Sequence, residues 1–292
     1  MSETILGKHL NGVKAEPTAA AAAAPPFSWR GATTLACMAL YTVLFSTRPA
    51  AFTSLWGAPA AALAIPLKTL PALLLSRFTA APGVLPLGTL TPTALYKLFV
   101  SRALLLCALG DLLLDLCEVK GVGEPAFLAG LGAFLAGHVL YCVAFYHTTA
   151  QPVNALMAVA CALPCGLVLR LLAPHILSNP ASAPLLPPVC VYVLAIGAMW
   201  YFSMARESSS PVNFYCTAGG ATLFLLSDCI LAWDRFAPAP VTEDGAVRWW
   251  WSQPKVLVMV TYWGAQTLIT HGAAAAVEPV GKKPALAKKK QG

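Results

Sequence analysis

Eight long apolar runs dominate this 292-residue chain and constrain its fold more than any other feature. They lie near residues 29–46, 53–75, 97–116, 125–147, 152–172, 185–205, 214–235 and 254–273. A helix needs about 20 mostly apolar residues to cross the hydrocarbon core of a bilayer. Charged residues make up only 11% of the chain, well below the roughly 25% of soluble domains. The pattern predicts an all-α, polytopic membrane helix bundle with about eight transmembrane helices.

The basic residues predict how the bundle is oriented. The chain carries a net charge of +7, and several of its lysines lie in the C-terminal segment KKPALAKKK. Placing both termini in the cytoplasm puts most of the 19 Lys and Arg residues on the cytoplasmic side, in agreement with the positive-inside rule. An even number of spans is consistent with this arrangement. Because the positive charge follows a membrane pattern, it does not indicate binding to nucleic acid.

Three segments are predicted along the chain. Residues 1–28 contain an alanine run and are predicted to be a disordered N-terminal tail, residues 29–273 an eight-span transmembrane domain, and residues 274–292 a basic cytoplasmic tail. The last four residues, KKQG, match the dilysine pattern, a receptor-read address that predicts the endoplasmic reticulum and recognition by a coat protein. The alternative is a basic tail that binds anionic lipid headgroups.

The nine cysteines lie almost entirely within the apolar runs and are predicted to be small core residues. Cys161 and Cys165 share a helix face, but no CxxC pair and no histidine-containing zinc spacing occurs in the chain. The sequence therefore predicts no metal site and no cofactor.

Polar side chains inside the apolar runs are the main functional candidates. They are Lys68, Asp111, His138, Asp228, Tyr262 and Gln266. A charged residue at the bilayer centre costs about 2.5 to 3.5 kcal/mol on insertion scales, so such residues usually have a task. Lys68 is expected either to balance one of the aspartates or to bind a lipid headgroup. Asp115 and Glu118, by contrast, are expected to be solvated where their helix emerges from the membrane.

Helical spacing groups four of the uncharged candidates by face. His138 and Tyr141 lie on one side of their helix, and Tyr262 and Gln266 lie on one side of the last helix. The two polar faces are therefore expected to point to a common region. The alternative is that His138 is an ordinary core histidine and that the others only form hydrogen bonds between helices.

Two aspartates share the block LLSDCILAWDRF in the seventh run. Asp228 and Asp234 are six residues apart, which places them roughly 120° apart around the helix and about 9 Å apart along it. They are not a stacked pair. Asp228 is predicted to lie deeper and to take part in the chemistry of the site. Asp234 is predicted to shape the mouth of the site or to hold a neighbouring span. The second catalytic carboxylate is expected to come from another helix, and Asp111 is the leading candidate.

These positions coincide with the motifs of a known family. The chain resembles the YhhN family of membrane proteins, whose animal members are lysoplasmalogenases. The matching blocks are Gly110-Asp111, FLAGLGAFLAGHVLYCVAF, GGATLFLLSDCILAWDRF and VMVTYWGAQTLI, and Lys68 stands where the family has a basic residue. By resemblance, the site candidates are Asp111, His138, Asp228, Asp234, Tyr262 and Gln266. The family often has two aromatic residues where this chain has Tyr262-Trp263. The second residue of this chain is Trp instead of Tyr, and this departure bears on the substrate range.

The resemblance implies hydrolysis of the vinyl ether bond of lysoplasmalogens to a fatty aldehyde and a glycerophospho-base. This reaction proceeds through protonation of a carbon, so it needs one protonated acid and one charged carboxylate, as glycosidases do. Asp111 and Asp228 are the predicted catalytic pair, with either residue in either role. The residues predicted to bind or orient the substrate and water are Lys68, His138, Tyr141, Asp234, Tyr262 and Gln266.

Two other classes of protein fit the same polar residues. A proton-coupled transporter would use the acids and the histidine as a relay, although the spans show no inverted hydropathy repeat. A lipid-binding membrane protein would hold a lipid without catalysis. The expected partners are the lysophospholipid substrate, membrane lipids, a second copy of the chain in a homodimer and a coat protein on the dilysine tail, and not nucleic acid.

Overall fold

The computed structural model describes residues 29–42, 58–79, 90–117, 123–146, 154–208, 210–239, 241 and 253–277. Within these ranges the chain forms eight α-helices: α1 (Trp29–Tyr41), α2 (Ala58–Thr79), α3 (Pro92–Cys117), α4 (Gly123–Tyr146), α5 (Ala155–Ser178), α6 (Leu186–Ala205), α7 (Pro211–Phe236) and α8 (Pro254–Ala274). A short 3-10 helix, Ala183–Leu185, leads into α6. The predicted all-α fold is confirmed in these ranges.

Local chemistry sets the first turns of α5 and α7. The hydroxyl of Ser210 accepts a hydrogen bond of 3.1 Å from the backbone N–H of Asn213, and proline occupies the first turn of α7. The side chain of Asn154 accepts a similar bond of 3.0 Å from the backbone N–H of Met157 and caps α5. These caps matter because the first N–H groups of a helix have no partner within the helix.

Four segments are long and apolar enough to cross a membrane by length and composition. They are Gly123–Tyr146, Ala155–Ser178, Ala183–Ala205 and Pro211–Phe236. Helices α2 and α3 carry more charge, but their Lys68 and Asp111 side chains are buried inside the bundle. As described, α1 has 13 residues, fewer than the roughly 20 that a perpendicular span requires. The chain is an integral membrane protein, and the cytoplasmic position of both termini stays a prediction.

Two predicted span boundaries are wrong by five or six residues. Helix α3 begins at Pro92 instead of residue 97, because proline suits a first turn and the Thr91 hydroxyl accepts a hydrogen bond from a backbone N–H three residues on. Helix α5 continues to Ser178 instead of residue 172 and passes Pro174 without ending. A proline inside a membrane helix removes one backbone bond but is tolerated where the surroundings satisfy the freed groups.

Several predictions concern residues outside the described ranges. They include the N-terminal tail 1–28, the solvation of Glu118 and nearly all of the C-terminal tail with its dilysine pattern. These stay predictions.

The most extensive helix pairs are α3 with α4 and α7 with α8. Glycine allows the close approach in both pairs: a Cβ atom added at Gly220 of α7 would lie 2.9 Å from the backbone oxygen of Ala265, and one added at Gly137 of α4 would lie 3.3 Å from Cys107 Sγ. Small residues play this part in membrane helix packing because they let backbones meet. The two pairs, together with α1, α2, α5 and α6, surround an interior cavity.

Candidate functional site

A cavity of about 600 Å³ lies in the middle of the bundle. Side chains from all eight described helices line it, and they are mostly apolar. It reaches the surface at the end of the bundle where α3 and α7 end and α4 and α8 begin, beside the exposed residues Asp234, Arg235 and Lys255. The cavity therefore combines an apolar interior with a charged mouth.

Asp111 of α3 is the most deeply buried acid that lines the cavity. Its exposure is 2%, and the Tyr262 hydroxyl of α8 donates a hydrogen bond of 2.7 Å to its Oδ2. The Tyr262 ring is held in turn by edge-to-face contacts with Phe134 of α4 and Phe224 of α7. Two of the predicted site residues thus meet across the α3–α8 interface, although they are 151 positions apart in the chain.

Asp228 of α7 lines the same cavity and forms a second acid–tyrosine pair. The Tyr192 hydroxyl of α6 donates a hydrogen bond of 2.6 Å to Asp228 Oδ2. His138 Nε2 lies 2.9 Å from the Tyr192 oxygen and 3.4 Å from Asp228 Oδ2. Because the phenol gives its single proton to Asp228, its oxygen is the acceptor toward His138, and Nε2 is the donor. His138 Nδ1 faces the sulfur of Met199 at 3.3 Å.

Lys68 of α2 forms an ion pair with Asp115 of α3 over 2.7 Å. Both residues line the cavity, and their side chains are 9% and 16% exposed. The expectation that Asp115 is solvated is therefore wrong: α2 packs on α3 and covers this carboxylate with a lysine. Lys68 thus pairs with an aspartate as expected, but this aspartate is Asp115 and neither Asp111 nor Asp228.

The mouth of the cavity carries charges of both signs. Asp234 does not pair with its neighbour Arg235, because Arg235 reaches Glu124 at the start of α4 and lies over the Phe127 ring at 4.8 Å. Lys255, in the first turn of α8, lines the same mouth as Asp234. Asp234 thus lies at the mouth, as its spacing from Asp228 predicts.

Tyr141 and Gln266 meet behind the cavity wall. The Tyr141 hydroxyl donates a hydrogen bond of 2.7 Å to Gln266 Oε1, which confirms that the polar faces of α4 and α8 point to one region. Both side chains and His138 are fully buried, and none of the three lines the cavity. Of the three, His138 contacts the lining residue Tyr192. No hydrogen-bond partner for Gln266 Nε2 occurs among the described residues.

Among the cavity residues that were not predicted from the sequence as members of the site are Asp115, Tyr192 and Lys255. Tyr192 lies in the otherwise apolar run VYVLAIGAMW. The one signal in this run was the tyrosine hydroxyl itself, because a buried phenol usually has a hydrogen-bond partner. No group of three His, Cys, Asp or Glu side chains in the described ranges is arranged to hold a metal ion.

Comparisons with known proteins agree with this site. A model of the YhhN family matches residues 63–273. The chain is 36% identical over 177 residues to lysoplasmalogenase TMEM86B of Sus scrofa, which covers 60% of this chain and 63% of that protein. It is 31% identical over 207 residues to lysoplasmalogenase TMEM86B of Homo sapiens, with 70% and 73% covered. For lysoplasmalogenase TMEM86A of Bos taurus the identity is 30% over 220 residues, with 73% and 79% covered.

The matched segment thus spans a little under two thirds of the pig protein and nearly three quarters of the human one. No solved structure shows significant similarity to the chain. The family model covers most of the chain and includes every residue of the two acid–tyrosine pairs. The chain belongs to the YhhN family.

Proposed function

We propose that the chain hydrolyses the vinyl ether bond of lysoplasmalogens, the 1-alkenyl glycerophosphocholines and glycerophosphoethanolamines, to a fatty aldehyde and a glycerophospho-base. The observation that carries the proposal is the pair of aspartates, Asp111 and Asp228, which approach one cavity from two helices, each held by a tyrosine from a third or fourth. The names of the relatives, lysoplasmalogenases, support it.

The cavity suits a single-chain lipid. One side is apolar and is lined by α5 and α6 through residues such as Val168, Leu172 and Val193. The other side carries the acids, Tyr262 and Lys68 from α2, α3, α7 and α8, and the Tyr192 hydroxyl of α6 reaches it through its hydrogen bond to Asp228. An alkenyl chain would bury its surface on the first side, while its polar end meets the second.

The hydrogen bonds suggest how the two acids divide the work. The side chain of Asp228 is 15% exposed and accepts a hydrogen bond from the Tyr192 hydroxyl, and partial solvation together with such a donor stabilises a charged carboxylate. Asp111 is more deeply buried and receives a hydrogen bond from Tyr262. We therefore assign Asp111 as the general acid in its protonated form and Asp228 as the carboxylate that activates water.

The steps then balance without a further reactant. Asp111 gives its proton to the vinyl carbon remote from the ether oxygen, and an oxocarbenium ion forms at the carbon bonded to that oxygen. Water adds to this carbon and passes a proton to Asp228, which leaves a hemiacetal. The hemiacetal hydroxyl returns a proton to Asp111, the glycerol oxygen takes the proton from Asp228, and the carbon–oxygen bond breaks. Both carboxyls are restored and the aldehyde is released.

The test is a comparison of two substrates with purified protein in detergent. Lysoplasmalogen should give aldehyde, and the analogue with a saturated ether should give none, because it has no carbon that can be protonated to an oxocarbenium ion. Aldehyde from neither substrate would refute the proposal. Proton flux in liposomes without aldehyde release would instead favour a transporter.

We also propose that the protein resides in the endoplasmic reticulum. The support is the sequence Lys289-Lys290-Gln291-Gly292, which follows the dilysine pattern recognised by coat proteins and lies outside the described ranges. Replacing both lysines by serine should move a tagged full-length chain to later compartments in fluorescence images. An unchanged location would count against this address.

A further inference from the structure

Helices α3 and α7 each carry two cavity acids in the same order. On α3, Asp111 lies deeper and Asp115 lies four residues nearer the mouth, about 6 Å further along the axis. On α7, Asp228 lies deeper and Asp234 lies six residues nearer the mouth, about 9 Å further along. The cavity thus has an inner pair of acids and an outer pair.

The two pairs have different partners. Both inner acids are bound by tyrosine hydroxyls. Each outer acid has a lysine in the same part of the cavity: Asp115 forms an ion pair with Lys68, and Asp234 lies at the exposed mouth that Lys255 also lines. We call Lys68, Asp115, Asp234 and Lys255 the outer charge group. It contains two cations and two anions that line one cavity.

The buried half of the outer charge group keeps unused bonding capacity. The Lys68 ammonium has three N–H donors, and it gives one of them to Asp115 Oδ1. Asp115 Oδ2 has no hydrogen-bond partner among the described residues. A buried ammonium and a buried carboxylate are costly unless their remaining donors and acceptors find partners. These two groups therefore suit a ligand that brings its own charges.

We propose that the outer charge group binds the zwitterionic phosphate–amine headgroup of a lysophospholipid, an inference that rests on the proposed function. Lys68 and Lys255 contact the phosphate, and Asp234 contacts the ammonium at the mouth. The glycerol backbone then separates the phosphate from the vinyl ether, just as one to two helical turns separate the outer acids from the inner ones. The ether lies between Asp111 and Asp228, and the alkenyl chain lies against α5 and α6.

The test uses three vinyl ether substrates and the full chain. They are an alkenyl glycerophosphoethanolamine, an alkenyl glycerophosphate without the amine, and an alkenyl glycerol without phosphate. In Lys255→Gln, kcat/KM should fall about three- to fivefold for both phosphate-bearing substrates relative to alkenyl glycerol, the range for one exposed ionic contact. In Asp234→Asn, the loss should be confined to the amine-bearing substrate. Both changes should appear in KM rather than kcat, since a headgroup contact forms before the reaction.

The buried pair is tested by removing both of its charges together. The double variant Lys68→Met with Asp115→Leu leaves no unpaired buried charge, and a melting curve verifies that it is folded. In this variant the ratio of kcat/KM for the phosphate-bearing substrates to kcat/KM for alkenyl glycerol should fall about tenfold. The effect is larger than for Lys255→Gln because Lys68 is shielded from solvent.

Matched controls are Lys97→Gln and Glu207→Gln, which lie away from the cavity and should keep the wild-type preference among the three substrates. Equal losses on all three substrates in Lys255→Gln, or an unchanged preference in both Lys255→Gln and the double variant, would overturn the headgroup site. Absence of cleavage of every substrate by the wild-type chain would instead overturn the proposed function.

Discussion

Tyr192 and Asp228 are joined by a hydrogen bond of 2.6 Å between α6 and α7, and the same phenol oxygen accepts a hydrogen bond from His138 of α4. One hydroxyl therefore links three helices at the cavity wall. It holds the Asp228 carboxylate in one orientation and makes Nε2 of His138 the donor. Tyr192 is a positioning residue in this arrangement, since it acts through Asp228.

Replacing Tyr192 by phenylalanine keeps the ring and removes the link. The expected result is a fall in kcat of about tenfold with little change in KM, because the loss of one hydrogen bond misorients the base. Assays of aldehyde release from lysoplasmalogen, quenched at fixed times over a range of substrate concentrations, measure both constants. The matched control is Tyr201→Phe on the same helix, whose hydroxyl contacts the backbone of Asn154 away from the cavity. Similar effects of the two variants would contradict the positioning role.

Removing either inner acid should nearly abolish turnover. Asp111→Asn and Asp228→Asn should each lower kcat by about 10²- to 10⁴-fold, the usual contribution of a general acid or base. Thermal melting should show that both variants are folded. Near-normal aldehyde release from either variant would refute the assignment of that residue.

The division of roles between the acids has its own test. Asp228→Ala leaves space for a small carboxylate, so added formate should restore part of its activity near neutral pH. Asp111→Ala should not respond, because formate is ionised at this pH and cannot supply a proton to carbon. Rescue of Asp111→Ala instead would reverse the two roles.

The buried bond between Tyr141 and Gln266 should contribute to stability. Tyr141→Phe leaves the fully buried Gln266 Oε1 without this donor, at a cost of about 1–3 kcal/mol in the free energy of unfolding. Thermal unfolding in detergent should therefore shift to lower temperature. Adding Gln266→Met to the variant should recover part of the loss, since removing both polar partners is cheaper than removing one. No shift in the single variant would show that the bond is energetically unimportant.

The close approach of α7 and α8 should tolerate no added methyl group. Gly220→Ala places a Cβ atom 2.9 Å from the backbone oxygen of Ala265, and overpacking of this kind costs about 1–3 kcal/mol. Gly132→Ala is the matched control, because nothing in the described ranges beyond its own stretch of helix lies within 4 Å of its added Cβ, and alanine favours the helix. Equal melting temperatures of the two variants would contradict the close contact.

The helices could be predicted from the sequence because apolar runs of membrane-spanning length leave few alternatives. Their ends were less predictable, since single side chains such as Thr91 decide where a helix begins. Asp111 and Asp228 could be identified because an acid inside an apolar run is costly. For Asp115, which lies near a helix end, the sequence predicted a solvated carboxylate. This prediction was wrong, because only the tertiary fold shows that α2 brings Lys68 to Asp115.

Tyr192 was out of reach for a related reason. A tyrosine among apolar residues fits a helix core, and which acid its hydroxyl meets depends on how α6 is rotated against α7. By contrast, helical spacing alone predicted that the polar faces carrying Tyr141 and Gln266 point to a common region, although it did not pair these two side chains. Faces of single helices are encoded locally, whereas partners across helices are not.

The mixed lining of the cavity has a consequence for what happens after the bond breaks. On the proposed function, the aldehyde would form beside the apolar side chains of α5, a helix with many outward-facing leucines, and the glycerophospho-base beside a water-exposed mouth. We expect the two products to separate by phase as they leave, the aldehyde entering the bilayer and the headgroup entering water. Rapid sedimentation of proteoliposomes during turnover should show the aldehyde in the pellet. Because the two products would then be in different phases, the reverse reaction that re-forms the ether would be prevented by their separation as well as by the equilibrium constant.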